Sequence, residues 1–288
     1  MNLPKKLLRW FSFLIVFAAF LSCEKDVVLD LADKEGTFMV VEANLTNDGR
    51  KQWIRLSESS SYYESSFGNP VSDALVQVTD GENTFTFTES EVDTLAGYYY
   101  NDQISNAFTR ATYQLEINHN ENVYTAQSEF RPVPFLDSVT VELSFFSQLG
   151  FGEIDFYDVY VHFDEFEEEG DHYLFNMYVR DTLKTSRPNQ KFVLNDESLE
   201  DYVSLSVLGF NEEEVLEGDK LVVEIRSISE ENYNFYNIFF FQTDLSGNPF
   251  AGAPPANIPT NLSDGAKGFF QVSSVHRDSI IFQKPQDS

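Results

Sequence analysis

Apolar and polar residues alternate with a period of two along most of this chain, the spacing of strands that bury one face. Phe85 and Phe87 alternate with Thr84, Thr86 and Thr88, giving one greasy face and one hydroxyl face. Tyr113-Gln114-Leu115-Glu116-Ile117 alternates strictly, turns at Asn118 to Asn122, and returns as Val123-Tyr124-Thr125-Ala126. Phe38 to Ala43 is a further strand, closed by the turn signal Asn47-Asp48-Gly49. Trp53 to Leu56, Ala74 to Thr79 and Gly97 to Tyr100 complete the set. About seven short strands, with turns roughly every ten residues, predict an antiparallel sandwich, immunoglobulin- or transthyretin-like, over residues 37–131.

Arg131-Pro132-Val133-Pro134 breaks the alternation. Proline cannot donate to a ladder, so a domain junction is expected there. Residues 132–288 are expected to form a second β-rich domain. Its strands are Ser138 to Phe146, Phe156 to Phe163, Tyr173 to Arg180, Tyr202 to Leu208 and Leu221 to Ile228. Phe269 to Val275 and Ser279 to Phe282 close it. One helix is expected near 229–245. Ser227 or Ser229 caps it, and Glu230 and Glu231 suit its positive end. Tyr233, Tyr236, Phe239 and Phe240 recur on one face, expected to pack on the second sheet. The fold class is therefore mainly β, with one helix.

The N-terminus follows another rule. Lys5, Lys6 and Arg9 precede an apolar run from Trp10 to Leu21, and the single cysteine, Cys23, follows the small Ser22. This is the layout of a secretory signal. The run is shorter than the ~20 apolar residues that span a bilayer. No A-x-A-like cleavage site follows it, and one cysteine cannot form an internal disulfide. A lipoprotein signal is expected over 1–22, with Cys23 as the acylated first residue of the mature protein. A polar tether is expected over 23–36.

Composition narrows the function. The chain has 288 residues, 42% of them hydrophobic and 15% aromatic, enough to build a sizeable core. Its 19 basic residues face 47 acidic ones, for a net charge of −28. Such a surface repels phosphate backbones, so nucleic acid is excluded as a partner. Membrane contact is expected through the N-terminal lipid and not through the protein surface.

Motifs of catalysis are missing: no G-x-S-x-G, H-E-x-x-H, P-loop or G-x-G-x-x-G occurs. The expectation is a protein that is not an enzyme and carries no organic cofactor. The run Asp164, Glu165, Glu167, Glu168 and Asp171 reads as an acidic hairpin tip. Calcium takes six to eight oxygen ligands, so these residues are candidate calcium ligands. The run lacks the spacing of an EF-hand loop, and a solvated tip is the alternative. His162 and His172 are expected to face each other across that hairpin. Loops carry recognition, which makes Tyr62, Tyr63 and Phe67, in a Ser-rich stretch, and Phe250, beside a Pro-rich one, candidate contacts.

Several stretches together resemble a known family. Ser22-Cys23-Glu24-Lys25 is followed by Val27-Val28-Leu29-Asp30-Leu31 and by Val40-Val41-Glu42-Ala43. Pro70 to Val76 precedes the first hairpin, and Val133-Pro134-Phe135-Leu136-Asp137-Ser138 opens the second part. Asn248-Pro249-Phe250, Asn261-Leu262 and Gly268-Phe269-Phe270 come near the end. In this order they resemble domain-of-unknown-function family 4249, surface lipoproteins of Bacteroidota. The resemblance implies a two-part β-rich lipoprotein with an immunoglobulin-like first half. Glu24-Lys25-Asp26 resembles the charged export signal of such lipoproteins, which implies an outer-membrane location facing the cell exterior. It also implies a partnership with a TonB-dependent outer-membrane transporter in nutrient uptake. Two other readings stay open: a surface adhesin or envelope-structural lipoprotein, and a surface hydrolase with paired carboxylates.

Overall fold

A computed structural model describes residues 37–59, 68–106, 108–109, 111–150, 153–167, 170–187, 190–197, 199–244 and 259–284. Cys23, Glu24, Lys25 and Asp26, with the rest of the expected signal and tether, lie outside the described residues, as do Tyr62, Tyr63, Phe67, Glu168 and Phe250.

The first seven strands are β1 (Met39–Thr46), β2 (Gln52–Glu58), β3 (Leu75–Thr79), β4 (Thr84–Glu89), β5 (Tyr98–Asn101), β6 (Thr112–His119) and β7 (Asn122–Glu129). Then come β8 (Ser138–Leu143), a short helix α1 (Phe145–Gln148), β9 (Phe156–Asp164), β10 (His172–Val179), β11 (Thr182–Leu183), β12 (Phe192–Asn195), β13 (Tyr202–Asn211) and β14 (Lys220–Ile228). Helix α2 (Glu230–Asp244), β15 (Lys267–Ser273) and β16 (Val275–Ile281) finish the chain. The protein is mainly β.

The strands expected as a sandwich lie on one hydrogen-bonded path of eight, in the order β15-β1-β2-β5-β4-β3-β6-β7. Strand β4 pairs with β3 from Thr84 to Phe87 but with β5 only at Thr88 and Glu89, so the sheet turns a corner there. The two edges then come side by side. Val272 N of β15 donates to Ser128 Oγ of β7 at 2.9 Å, and Asn261 Nδ2 donates to Gln127 O at 2.9 Å. The result is a nearly closed sheet. Alternation puts Val41, Ala43, Leu45, Ile54, Leu56, Val76, Val78, Leu115 and Ile117 inside it.

The eighth strand is not local. β15 runs parallel to β1, with Val41 opposite Gly268 and Ala43 opposite Phe270. Phe270 and Val272 thus join the first core from the far end of the sequence. The remaining strands bury a second core, which begins at Val133. One layer is β10-β14-β16, with β11 and β12 both on the outer edge of β10; the other is β13-β9-β8.

Two local expectations are corrected. The strand expected to reach Phe146 stops at Leu143, because Ser144 caps the single turn of α1, its Oγ accepting from Ser147 N at 3.4 Å. The acidic run is not a hairpin tip. β9 pairs with β8 and β13, whereas β10 pairs with β11, β12 and β14. β9 buries Tyr157, Val159, Val161 and Phe163, and β10 buries Tyr173, Phe175, Met177 and Val179 in the same core. The strands stack face to face, with the Phe163 and Tyr173 rings 6.3 Å apart, so the chain crosses between layers. His162 and His172 therefore do not oppose each other. His162 Nε2 meets Thr140 Oγ1 at 2.9 Å, and the His172 ring lies 5.0 Å from that of Tyr233.

Helix α2 begins where Ser229 Oγ accepts from Asn232 N at 3.2 Å. It packs Tyr233 on β10 through His172 and Phe235 on β15 through Phe269, with rings 5.7 Å apart in the second pair.

The β1–β15 junction yields a prediction. Gly268 has φ +101, and a Cβ there would lie 2.0 Å from Val41 O. Gly268→Ala is expected to prise β15 from β1 and lower the melting temperature sharply or prevent folding. Gly265 has φ +75 with open space around it, so Gly265→Ala should cost only about 1–2 kcal/mol. Thermal denaturation of the two variants checks the contrast.

Candidate functional site

In the sheet β10-β14-β16, the middle of β10 and β14 is buried on both faces. One is apolar and belongs to the second core. The other carries a row set by register: Asn176 of β10 lies opposite Glu224 of β14, which lies opposite Arg277 of β16. Two residues on, Arg226 shares that face. Outward strand positions ordinarily meet water; these are covered by the first sheet and by α2.

Glu224 is completely buried. Its Oε1 accepts from Asn176 Nδ2 at 2.9 Å and from Arg226 Nε. Its Oε2 accepts from Arg277 Nε at 2.6 Å. Arg277 also reaches across to the first module, where Nη2 donates to Asp48 Oδ2 at 3.0 Å. Asp48 is held from its own turn as well, with Arg50 Nε donating to Oδ2 at 2.6 Å. Burial alone would raise the pKa of both carboxyls. The arginines overcome it: Glu224 is pulled below the ordinary carboxylate value and Asp48 down to about 2.

In front of this network lies a cleft of about 430 Å³. Its lining takes Arg50, Lys51 and Trp53 from the side of the first sheet, Lys191, Arg226 and Tyr178 from the side of the second, and Asn232 and Tyr236 from α2. Four cationic side chains against one carboxylate, Asp48, give the lining a surplus of three positive charges. Glu224 and Arg277, just behind, cancel each other. The cleft thus gathers positive charge in a chain whose net charge is −28.

Several of its polar groups are not saturated. Lys191 Nζ donates to Asn176 Oδ1 at 2.7 Å and to Thr185 O at 3.0 Å, but no carboxylate touches it among the described residues. Burial, reinforced by the charge of Arg226, drops its pKa to about 8. Arg226 spends Nε on Glu224, and its Nη groups have no hydrogen-bond partner among the described residues. Asn232 is 2% exposed, and its Oδ1 is buried without a donor. No hydrogen bond from the described residues reaches the Tyr236 hydroxyl, which burial pushes up to about 12 despite Arg226 nearby.

Of the candidate calcium ligands, Asp164, Glu165, Glu167 and Asp171 are described and Glu168 is not. Among the described residues no group of three His, Cys, Asp or Glu side chains could hold a metal ion. Asp171 pairs with Arg131 at 3.2 Å. Glu165 Oε1 accepts from the Tyr173 hydroxyl at 2.6 Å, and burial raises its pKa. Asp164 ends β9 and Glu167 is exposed. Elsewhere, α1 presents Phe145, Phe146 and Leu149 to solvent beside the exposed Phe156.

The profile of a domain of unknown function, DUF4249, matches residues 24–279. The chain belongs to this family. No curated protein matches it. The cleft of this DUF4249 chain is built from residues that sequence reasoning missed: Asn176, Lys191, Glu224, Arg226, Asn232, Tyr236 and Arg277. One signal was present. Glu224 and Arg226 stand two apart inside the otherwise apolar Leu221 to Ile228.

Removing Glu224 leaves Arg226 and Arg277 facing each other in a buried seam. Glu224→Ala is expected to cost about 3–5 kcal/mol, the range for breaking a buried pair by deleting one partner. For Asp48 the pKa is lowered in the folded state, so its contribution is present above 3.8 and is lost as pH falls toward about 2. Urea unfolding of wild type and Glu224→Ala between pH 7 and pH 2.5 checks both statements.

Proposed function

We propose that this DUF4249 chain is a lipid-anchored outer-membrane protein, facing the cell exterior, that binds a ligand and serves a TonB-dependent transporter in nutrient uptake. Cys23 after an apolar signal, with Glu24, Lys25 and Asp26 next, supports the anchor and its location. The observation that carries the binding role is the cleft. Its buried carboxylates are held ionised by arginines, so it offers fixed charge and unsaturated hydrogen-bonding groups. A general acid of the glycosidase kind needs the opposite, a carboxyl whose pKa is raised. This favours binding over hydrolysis and supports a chain that is not an enzyme. The immunoglobulin- or transthyretin-like reading of the first half belongs to the same proposal: the corner at β4 divides the curled sheet into two halves across one core. The exposed Phe145, Phe146, Leu149 and Phe156 offer apolar surface for a protein contact. An adhesin would use that surface for matrix or for a second copy instead.

Metabolic labelling with a fatty-acid probe tests the anchor. Label is expected on the wild type and not on Cys23→Ala; a Cys23→Ala protein that still labels overturns it. Purification of the tagged protein in mild detergent tests the partner. Co-purification of an outer-membrane transporter is the expected result, and self-association alone would favour the adhesin.

A further inference from the structure

The cleft's chemistry specifies a ligand class, an inference that rests on the binding role just proposed. The Nη edge of Arg226 is planar, and its two donors suit a planar pair of oxygens. Lys191 adds a second cation with no carboxylate against it. Arg226 and Lys191 together call for an anion. Asn232 Oδ1, buried at 2% exposure, calls for the reverse, a donor on the same ligand. Tyr236 can give or accept a hydrogen bond. Trp53, on the side of the first sheet, is 39% exposed and leans on Tyr98, their rings 5.4 Å apart, which fixes it as an aromatic platform. A hollow of about 430 Å³ is in the size range that holds a small organic molecule.

Other hollows lack this combination. One of about 660 Å³ over β6 and β7 has Glu116 and Glu231 as its charged lining. One of about 840 Å³ beside β4 and β5 sets Lys51 against Glu89, Glu91 and Asp102.

We propose that this cleft binds a small hydroxylated carboxylate, of the sugar-acid class, with its carboxylate on Arg226 and Lys191 and a hydroxyl donating to Asn232 Oδ1. A neutral sugar would give the Arg226 Nη edge and Lys191 Nζ no carboxylate to contact, since Glu224 engages only Arg226 Nε. A bare carboxylate would leave Asn232 without a donor. A hydroxylated acid answers both.

Calorimetry on the purified protein in mild detergent tests this, with galacturonate and glucuronate as probes and glucose, acetate and inorganic phosphate as controls. The two sugar acids are expected to bind, glucose and acetate at least tenfold more weakly. Asn232→Leu removes one buried acceptor and should narrow the gap between sugar acid and acetate about tenfold, the scale of one hydrogen bond. Facing Lys191 are Glu224, Arg226 and Tyr236, with Asp48, Arg50 and Lys51 on the side of the first sheet. Binding of galacturonate should therefore weaken as pH rises through about 8, where Lys191 loses its proton. Lys191→Met should flatten that profile while circular dichroism and melting behaviour show it folded, a readout a structural role would not move. Three outcomes overturn the proposal: no binding of either acid, equal binding of glucose, or phosphate binding that excludes the acids. Each leaves the labelling of Cys23 and the co-purification untouched. Loss of those two with sugar-acid binding intact would instead overturn the surface role alone.

Discussion

One carboxylate, Glu224, organises the middle of this molecule. It is fully buried, and a buried carboxylate is tolerated only when its charge and its lone pairs are answered. Arg226 answers from the same strand, Arg277 from the next and Asn176 from the one before. Arg277 then extends the answer to Asp48 on the first module. Two negative charges are thus bridged by one guanidinium across the seam between two cores. An ion pair of this kind contributes little net stability compared with an apolar seam. What it specifies is register. A slip of one residue in β14 would move Glu224 into the apolar core and Ile225 into the network.

The seam is also closed by backbone. Strand β15 ends at Ser273 in the first sheet and β16 begins at Val275 in the second, so adjacent strands serve different cores. Ser274 is the link. Its N–H donates to Ser227 Oγ at 3.0 Å, and its carbonyl accepts from Ser227 N at 3.1 Å. Ser227 Oγ donates in turn to Arg131 O at 2.7 Å, where the chain first leaves the first core. Val275 N donates to Asn47 Oδ1 at 2.9 Å, beside Asp48. The two crossings out of the first core, at Arg131 and at Ser274, are therefore tied to one serine. Few bonds here could open without exposing a buried polar group, which costs about 1–3 kcal/mol each.

The strands of this protein were legible because alternation is a local signal. Phe85 and Phe87 against three threonines, or Tyr113, Leu115 and Ile117 against Gln114 and Glu116, can be read in a window of a few residues. Helix α2 was legible for the same reason, through the spacing of Tyr233, Tyr236 and Phe239. Pairing was not. Alternation says which face of β9 and β10 is buried but not that they bury it against each other, so two stacked strands read as a hairpin. The parallel pairing of β1 with β15 joins Val41 to Gly268 and has no local signature. The cleft was hidden by the same limit. Glu224 and Arg226 occupy positions that, in a sheet with one wet face, belong to solvent; only the tertiary arrangement covers them.

That covering decides how the cleft's charge acts. Exposed charges further apart than about 8 Å are largely screened at physiological ionic strength. Exposed carboxylates of this acidic chain therefore contribute a weak and salt-dependent field at a distance. Arg226 and Lys191 are different, since side chains and not ions stand around them. Their attraction for a negative group is short in range and little screened once the group is inside. A ligand gains from the cleft only by entering it and shedding water, and there it meets Arg226 on β14, Asn232 and Tyr236 on α2, and Lys191 next to β12. Selectivity in such a site is set by whether each buried group finds its complement, because an unanswered one costs more than an answered one contributes.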